Sequence, residues 1–410
     1  MSTTVFDVLK ERGFVEQVSD EVKVRAMLAS PVTCYIGFDP TSDSFHAGSL
    51  VPIMALAHMQ RHGHRVLAVV GAGTAMIGDP SGKSELRQLI SKEEIDANAE
   101  GLKGQLAHYL DFSSGGALMV NNADWLCPLN YIEFLRDIGR HFSVNRMLAA
   151  ESYRMRFETG LTFIEFNYML LQAYDYLTLF RRYRCTLQMG GNDQWGNILA
   201  GADLIRRVEG GEAEALTFPL LTTASGAKMG KSERGAVWLD PKRTSPYEYY
   251  QYWINTDDRD VGRFLSLFTF LPMDEVRRLS SLGGEKLREA KEVLAYEATK
   301  LNYGDDDAVR AREASKALFS GEGGVDDASV PTVGIERVRF EEGIPAFALF
   351  ADAGLARTRG EARRLIAHGG GYINGRRLDA ADEMITAGEL RDGCIMLRAG
   401  KKKYVRIKAQ

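Results

Sequence analysis

Two short segments carry residue types suited to holding a polyphosphate. In the first, Asp39-Pro40-Thr41 is followed by His46-Ala47-Gly48-Ser49, so a hydroxyl and an imidazole stand where a strand hands over to a helix. Unpaired N–H groups at such a helix start favour an anion, and a glycine there lets a nucleotide approach the backbone closely. In the second, Lys228-Met229-Gly230-Lys231-Ser232 places two cations on a loop able to move. A lysine pair of that kind suits a pyrophosphate whose charge grows as it departs.

Neither segment is a P-loop. That motif needs a glycine five residues before its Gly-Lys-Ser, so that successive N–H groups aim at the phosphates. Ile77 stands there for Gly82-Lys83-Ser84, and Ser225 for Gly230-Lys231-Ser232. Gly71-x-Gly73 lacks the third glycine of a dinucleotide fingerprint, which is Met76, and this argues against a plain nucleotide-binding oxidoreductase. His58 and His62 are spaced i,i+4, but no glutamate follows His58, so with His64 they read as surface histidines and no metal site is expected. Further along, Gln172 and Asp175 are polar residues inside an apolar run, spaced i,i+3, and need a buried partner. Tyr168, on the same face, reads by itself as core.

The elements that must position these groups alternate between strand and helix. Val32–Phe38, Val66–Val70, Arg184–Met189 and Leu216–Leu221 read as strands, with helices from about His46–Ser49 to Gln60 and over Gly196–Arg207. Strand, helix, strand at this spacing implies a Rossmann-like parallel sheet with ligands at the carboxyl ends of its strands. The expected plan is an α/β catalytic domain over 1–224 with a helical insert at about 91–183, then a loop and helical domain over 225–320. A linker over 321–343, drawn from the Gly, Pro, Asp and Ser content of Gly321–Gly334, leads to a small α+β unit over 344–410. There Tyr372-Ile373-Asn374-Gly375-Arg376 reads as a hairpin with a type I′ turn.

At 410 residues and 45% hydrophobic content the chain can build several packed domains. No run approaches the roughly 18 apolar residues of a membrane span. The opening MSTTVFDVLKERGF lacks the marks of an export or import peptide, and four dispersed cysteines suit a reducing compartment, so the expectation is cytoplasm and no membrane. Net charge is −4, yet Ala351 to Gln410 holds 13 Lys or Arg against 7 Asp or Glu, leaving −10 on the rest. An acidic body with a basic end is a reasonable footprint for an RNA-binding appendage.

The two segments resemble the HIGH and KMSKS motifs of class I aminoacyl-tRNA synthetases. Tyr35-Ile36-Gly37-Phe38-Asp39-Pro40-Thr41, Ile77-Gly78-Asp79-Pro80, Tyr168 with Gln172 and Asp175, and Gly190-Gly191-Asn192-Asp193-Gln194-Trp195-Gly196-Asn197 narrow the likeness to the bacterial tyrosyl-tRNA synthetase family, over nearly the whole chain. The resemblance implies an ATP-dependent ligase that activates L-tyrosine and passes it to tRNA(Tyr), with Mg²⁺ carried by the ATP phosphates. It places Tyr35 and Asp175 at the substrate hydroxyl, and Asp79, Tyr168, Gln172 and Gln194 around its ammonium group. It puts Gly37, Asp39, His46, Gly48, Ser49, Gly191, Asp193, Lys228, Lys231 and Ser232 at the nucleotide, with Lys83 and Arg87 clamping phosphates. Thr41, His46, Lys228 and Lys231 become the catalytic set. The basic end resembles a small RNA-binding domain, with Arg357, Arg359, Arg363, Arg364, Arg376, Arg377 and Lys401, Lys402 and Lys403 as phosphate contacts. The insert is expected to form a homodimer interface, to which Phe134, Ile138, Phe142 and Met147 would contribute, although an internal core would show the same pattern. Two departures stand out: Ser49 where the family often has His or Asn, and Gly230 in the middle of the lysine motif. A tryptophanyl enzyme is the nearest rival and would have no need of Asp175; an RNA-binding protein that kept the fold without its catalysis would have no need of intact His46 and lysine segments.

Overall fold

The run Thr33–Phe38, buried at every position but Gly37, can satisfy its backbone only inside a sheet with both faces covered. In the computed structural model it is β2, at the middle of a six-stranded sheet. The structure describes residues 4–81, 91–150, 153–154, 160–226, 229–232, 235–320, 332–391, 393–400 and 403–410. They fall into two units, 1–240 with 256–302, and 241–255 with 303–410.

In the first unit the strands are β1 (Gln17–Val18), β2 (Thr33–Phe38), β3 (Arg65–Val70), β4 (Ala117–Asn121), β5 (Cys185–Gly191) and β6 (Glu214–Phe218), in spatial order β1-β6-β5-β2-β3-β4. All pairings are parallel except β1 with β6. From β2 the chain proceeds to β3 and β4 on one side, and from β5 to β6 on the other. The order therefore reverses between β2 and β5, and the crevice beyond their carboxyl ends is where such sheets bind ligands.

Helix α1 (Val5–Arg12) is closed by a Thr4–Asp7 capping box and by Gly13 in the left-handed conformation. The helix α2 (Leu50–Arg61) follows β2, α3 (Lys92–Leu106) precedes β4, α4 (Phe163–Tyr183) precedes β5, and α5 (Trp195–Glu209) joins β5 to β6. The length of α4 is set by a Thr162–Glu165 capping box at its start and by Arg184 at positive φ at its end. The helix α6 (Pro246–Ile254) belongs to the second unit, whereas α7 (Val261–Phe268) belongs to the first. The buried guanidinium of Arg12 explains the latter: it donates to the carbonyls of Ser266 and Thr269, both at 2.9 Å, where α7 ends. The stretch 225–320 is thus divided between the two units.

The second unit contains a five-stranded sheet of order β12-β11-β14-β15-β9, from β9 (Thr332–Ile335), β11 (Gly371–Ile373), β12 (Arg376–Arg377), β14 (Cys394–Ala399) and β15 (Lys403–Ala409). Here β10 (Ile344–Pro345) and β13 (Met384–Ile385) form a separate pair, and β7 (Lys231–Ser232) and β8 (Gly235–Ala236) pair in the first unit. A core of Phe340, Phe350, Ile395 and Ile407, all fully buried, holds the small domain together. The Asn374-Gly375 turn has φ of 48° and 85°, as a type I′ hairpin requires.

Four expectations need correction. Ala117–Asn121 lies inside the stretch read as helical but is a sheet strand; a five-residue apolar run containing Leu and Met suits either state until a neighbouring strand pairs with it. The segment read as linker to 343 already contains β9 and a helix at Arg337–Glu342. The parallel partner of β9 is the C-terminal strand β15, a long-range pairing that local composition does not report. His58 and His64 are buried rather than surface residues, at 3% and 4% exposure, and His58 sits edge-on to Phe14 and Phe270. Burial among these rings holds its imidazole neutral, with a pKa of about 3. The last strand stops at Phe218 because Pro219 has no N–H for the ladder. Among the described residues no helix is long and apolar enough to cross a membrane.

Candidate active site at the switch point

Strands β2 and β5 end in Gly37-Phe38, followed by Asp39, and in Gly190-Gly191, and these ends frame a cavity of about 270 Å³. Its lining brings together Tyr35, Gly37, Asp39, Asp79, Tyr168, Gln172, Asp175, Gly191, Asp193 and Gln194, from four separate stretches of chain. All six residues expected at the amino acid are present, with four of those expected at the nucleotide.

Two hydrogen-bond chains organise the lining. In one, Asp175 accepts from Trp125 Nε1 at 2.7 Å and from Asn122 Nδ2 at 2.9 Å. Asn122 also donates to Thr74 Oγ1, which donates to Asp39, and Tyr168 donates to the other oxygen of Asp39. The Gly73 N–H, donating to Asn122 Oδ1 at 2.7 Å, fixes which way that amide faces. In the other, Gln194 Nε2 donates to Asp79 at 2.6 Å, and Asn197 Nδ2 donates to the amide oxygens of Gln172 and Gln194.

The electrostatics follow from burial. Asp175 is 4% exposed, and loss of solvent pushes its carboxyl up to about 7 despite the two donors that favour the charged form. Asp79 is raised by burial too, against the Ser81 N–H and Gln194. Desolvation and the nearby Asp175 lift the Tyr35 phenol well above its usual value, so it stays protonated. Among the described residues, the Tyr35 hydroxyl and Gln188 Oε1 are buried without a hydrogen-bond partner. A buried hydroxyl left unpaired is costly, and a ligand hydroxyl placed between it and Asp175 would satisfy both.

Asn122, Trp125, Thr74 and Gln188 were not anticipated. Asn122 and Trp125 follow β4 at the same carboxyl edge as the rest of the site, so recognising that strand would have pointed to them.

The two phosphate-type segments come into contact. His46 is the N-cap of a short 3-10 turn, Ala47–Ser49, and accepts from the Gly48 N–H at 3.0 Å. It forms an antiparallel bridge with Trp238, and Ala47 N–H donates to Val237 O at 2.8 Å. A Cβ on Gly48 would lie 2.7 Å from Met229 O, and one on Gly230, at φ 83°, would lie 2.5 Å from Gly48 N. Both glycines are therefore required where the segments touch, which accounts for Gly230 in place of a side-chain-bearing residue. Ser49 stands at the N-cap of α2 without a capping bond from its side chain. Thr41 is exposed in the preceding loop. Lys231 and Ser232 form β7. Lys83, Arg87 and Lys228 lie outside the described residues.

In the small domain Arg357, Arg359, Arg363, Arg364, Arg376 and Arg377 are exposed. Arg363 pairs with Asp382, and Arg376 with Glu383 and Glu389. Those two therefore have less free charge to offer than Arg359 and Arg364, which lie on a single helix, Arg359–Ala367. Lys401 and Lys402 lie outside the described residues, and Lys403 opens β15.

Residues 27–320 match the model for class I tRNA synthetases (W and Y), and residues 327–407 the tyrosine–tRNA ligase SYY-like C-terminal domain. The tyrosine–tRNA ligase of Syntrophus aciditrophicus is 58% identical over 423 residues, covering 99% of both chains. That of Caldanaerobacter subterraneus subsp. tengcongensis is 53% identical over 405 residues, covering 98% of this chain and 99% of its own. Among solved structures, a C-terminally truncated mitochondrial tyrosyl-tRNA synthetase of Aspergillus nidulans aligns with a TM-score of 0.69 at 30% identity, over 77% of this chain and 94% of that one. With a sheet whose order reverses at this cavity and matches that run end to end, the chain belongs to the tyrosyl-tRNA synthetase family of class I aminoacyl-tRNA synthetases, which are ATP-dependent ligases.

Proposed function

We propose that the cavity binds L-tyrosine with its phenol between Asp175 and Tyr35 and its ammonium group among Asp79, Tyr168, Gln172 and Gln194, and that MgATP binds along Asp39, His46, Gly48, Asp193 and the lysine loop. The observation that carries this reading is the pairing of a buried carboxylate with an unpartnered buried phenol in one cavity. The tyrosine carboxylate is ionised at neutral pH and attacks the α-phosphorus in line, so no general base is needed. Tyrosyl-adenylate forms and pyrophosphate leaves. Acceleration then comes from alignment and from charge placed around the transferring group by Thr41, His46, Lys228 and Lys231. The terminal ribose hydroxyl of tRNA(Tyr) attacks the adenylate carbonyl carbon, releasing AMP.

ATP–pyrophosphate exchange with each amino acid separately tests the assignment. Tyrosine should support exchange alone; tryptophan, or no amino acid, would overturn it. Within that assay His46→Ala should lower the rate of adenylate formation by about 100-fold, the scale of losing a preorganised group at a developing charge. Ser49→Ala should cost less than about fivefold, since no cap depends on its hydroxyl. Equal losses in single-turnover adenylate formation would contradict the distinction.

A homodimer is supported by Tyr131, Ile132, Val144 and Phe163, large apolar side chains exposed on the insert. Phe134, Ile138 and Met147 are instead buried in the core that also holds Tyr35 and Trp125.

A further inference from the structure

The loop that carries Thr41 and leads to His46 is held from outside the active site by one face of α3. Asn98 Nδ2, 7% exposed, donates to Pro40 O at 3.0 Å. One turn on, Gly101 lies against Asp43, where a Cβ would stand 2.3 Å from its carbonyl oxygen. Gln105 Oε1 accepts from Phe45 N–H at 2.9 Å, and its Nε2 donates to the buried Ser44 Oγ at 3.0 Å. Just past the helix, Tyr109 OH donates to Asn302 Oδ1 at 3.0 Å. Positions 98, 101 and 105 are spaced as one helical face, and Tyr109 continues it in the turn that follows.

That face reaches the far side of the lysine loop as well. Ser44 Oγ accepts from Asp240 N–H at 3.2 Å, Phe45 O from Leu239 N–H at 2.9 Å, and Leu239 O from the buried Asn302 amide at 3.0 Å. We infer that Asn98, Gly101, Gln105 and Tyr109 form a positioning stripe for adenylate formation: together they fix the 40–46 loop and the 239–240 segment in one mutual geometry, so that His46 and the lysine loop meet the phosphates in register. None of the four lines the amino-acid cavity. The stripe therefore acts on the reaction step and leaves tyrosine binding alone. The inference rests on His46 and the lysine loop being the nucleotide site.

Gly101→Ala is the decisive variant. It favours the helix yet forces the Asp43 carbonyl to retreat by roughly 1 Å, a displacement that costs about 100-fold when it reaches reacting groups. Gly104→Ala makes the same change on the same helix with nothing within 4 Å of the new Cβ, and is the matched control. In the full-length protein, single-turnover adenylate formation should fall about 100-fold in Gly101→Ala and stay at the wild-type rate in Gly104→Ala, with the tyrosine Kd within twofold in both. Gln105→Leu should lose rate similarly, and Gln105→Glu, which still accepts from Phe45 N–H, should restore most of it. A wild-type rate in Gly101→Ala, equal losses in the two glycine variants, or a parallel loss of tyrosine affinity would overturn the inference. His46→Ala separates the two levels: a rate insensitive to His46→Ala refutes the nucleotide site itself, whereas sensitivity there with none at Gly101 refutes the stripe alone.

Discussion

Replacing Asp175 by Asn should lower kcat/KM for tyrosine by roughly a hundredfold or more while leaving the weak reaction with phenylalanine almost unchanged. The carboxylate accepts two buried donors and is the natural acceptor for a third from the substrate. An amide nitrogen in its place must face either the Trp125 indole N–H or the Asn122 amide, and Asn122 cannot turn because Gly73 N–H holds its oxygen. Losing a charged acceptor and leaving a buried donor unpaired costs about 3 kcal/mol. Phenylalanine has no hydroxyl to lose. Steady-state kinetics with both amino acids measure this, and a proportional fall for both would show that Asp175 acts through the fold.

The same substitution also changes how stability depends on pH. The folded pKa of Asp175 is about 7, against 3.8 for a solvated aspartate, because burial penalises its charge. The folded state therefore keeps a proton that the unfolded state releases between those values. Stability from this group is present below about pH 4 and is lost as pH rises to about 7, by up to about 4 kcal/mol at 1.36 kcal/mol per unit. Asp175→Asn lacks that loss. Its Tm minus that of the wild type should climb from pH 4 to pH 8 in the absence of substrate, and a pH-independent difference would refute the buried carboxylate.

Ending the chain at Ser320 should leave pyrophosphate exchange within about threefold of wild type and reduce tRNA charging more than about 100-fold. The whole amino-acid cavity and both signature segments lie before that point. The deletion removes the C-terminal domain with its exposed arginines and its complete hydrophobic core. A cut inside the domain, after Phe340, should behave worse: β9 would lose its partner β15, and Ile335 and Phe340 would lose the core that buries them. Aggregation of that longer fragment beside a well-behaved shorter one would confirm where the domain begins. Full charging by the chain ending at Ser320 would remove the RNA-binding role from the C-terminal domain.

The sequence by itself determined the central alternation of strands and helices and the parallel sheet, and it marked Gln172 and Asp175, because these are written in local signals: apolar period, turn residues, and polar positions inside apolar runs; the other site residues were legible through the family motifs. It also placed the Asn374-Gly375 hairpin, whose two positive φ angles need those residues. Only the tertiary structure decided which of these meet. Pairing makes Ala117–Asn121 a strand and Thr332–Ile335 part of a sheet, and neither partner is a sequence neighbour. It also brings in Asn122 and Trp125, which a missed strand had hidden, and decides for Phe134 and Met147, which suit an interface or a core equally in sequence, in favour of the core. The two segments with phosphate chemistry are some 180 residues apart in the chain. Their types could be read one at a time, but that Gly48 and Gly230 are bare because each faces the other's backbone is a fact of packing, and packing is a property of pairs.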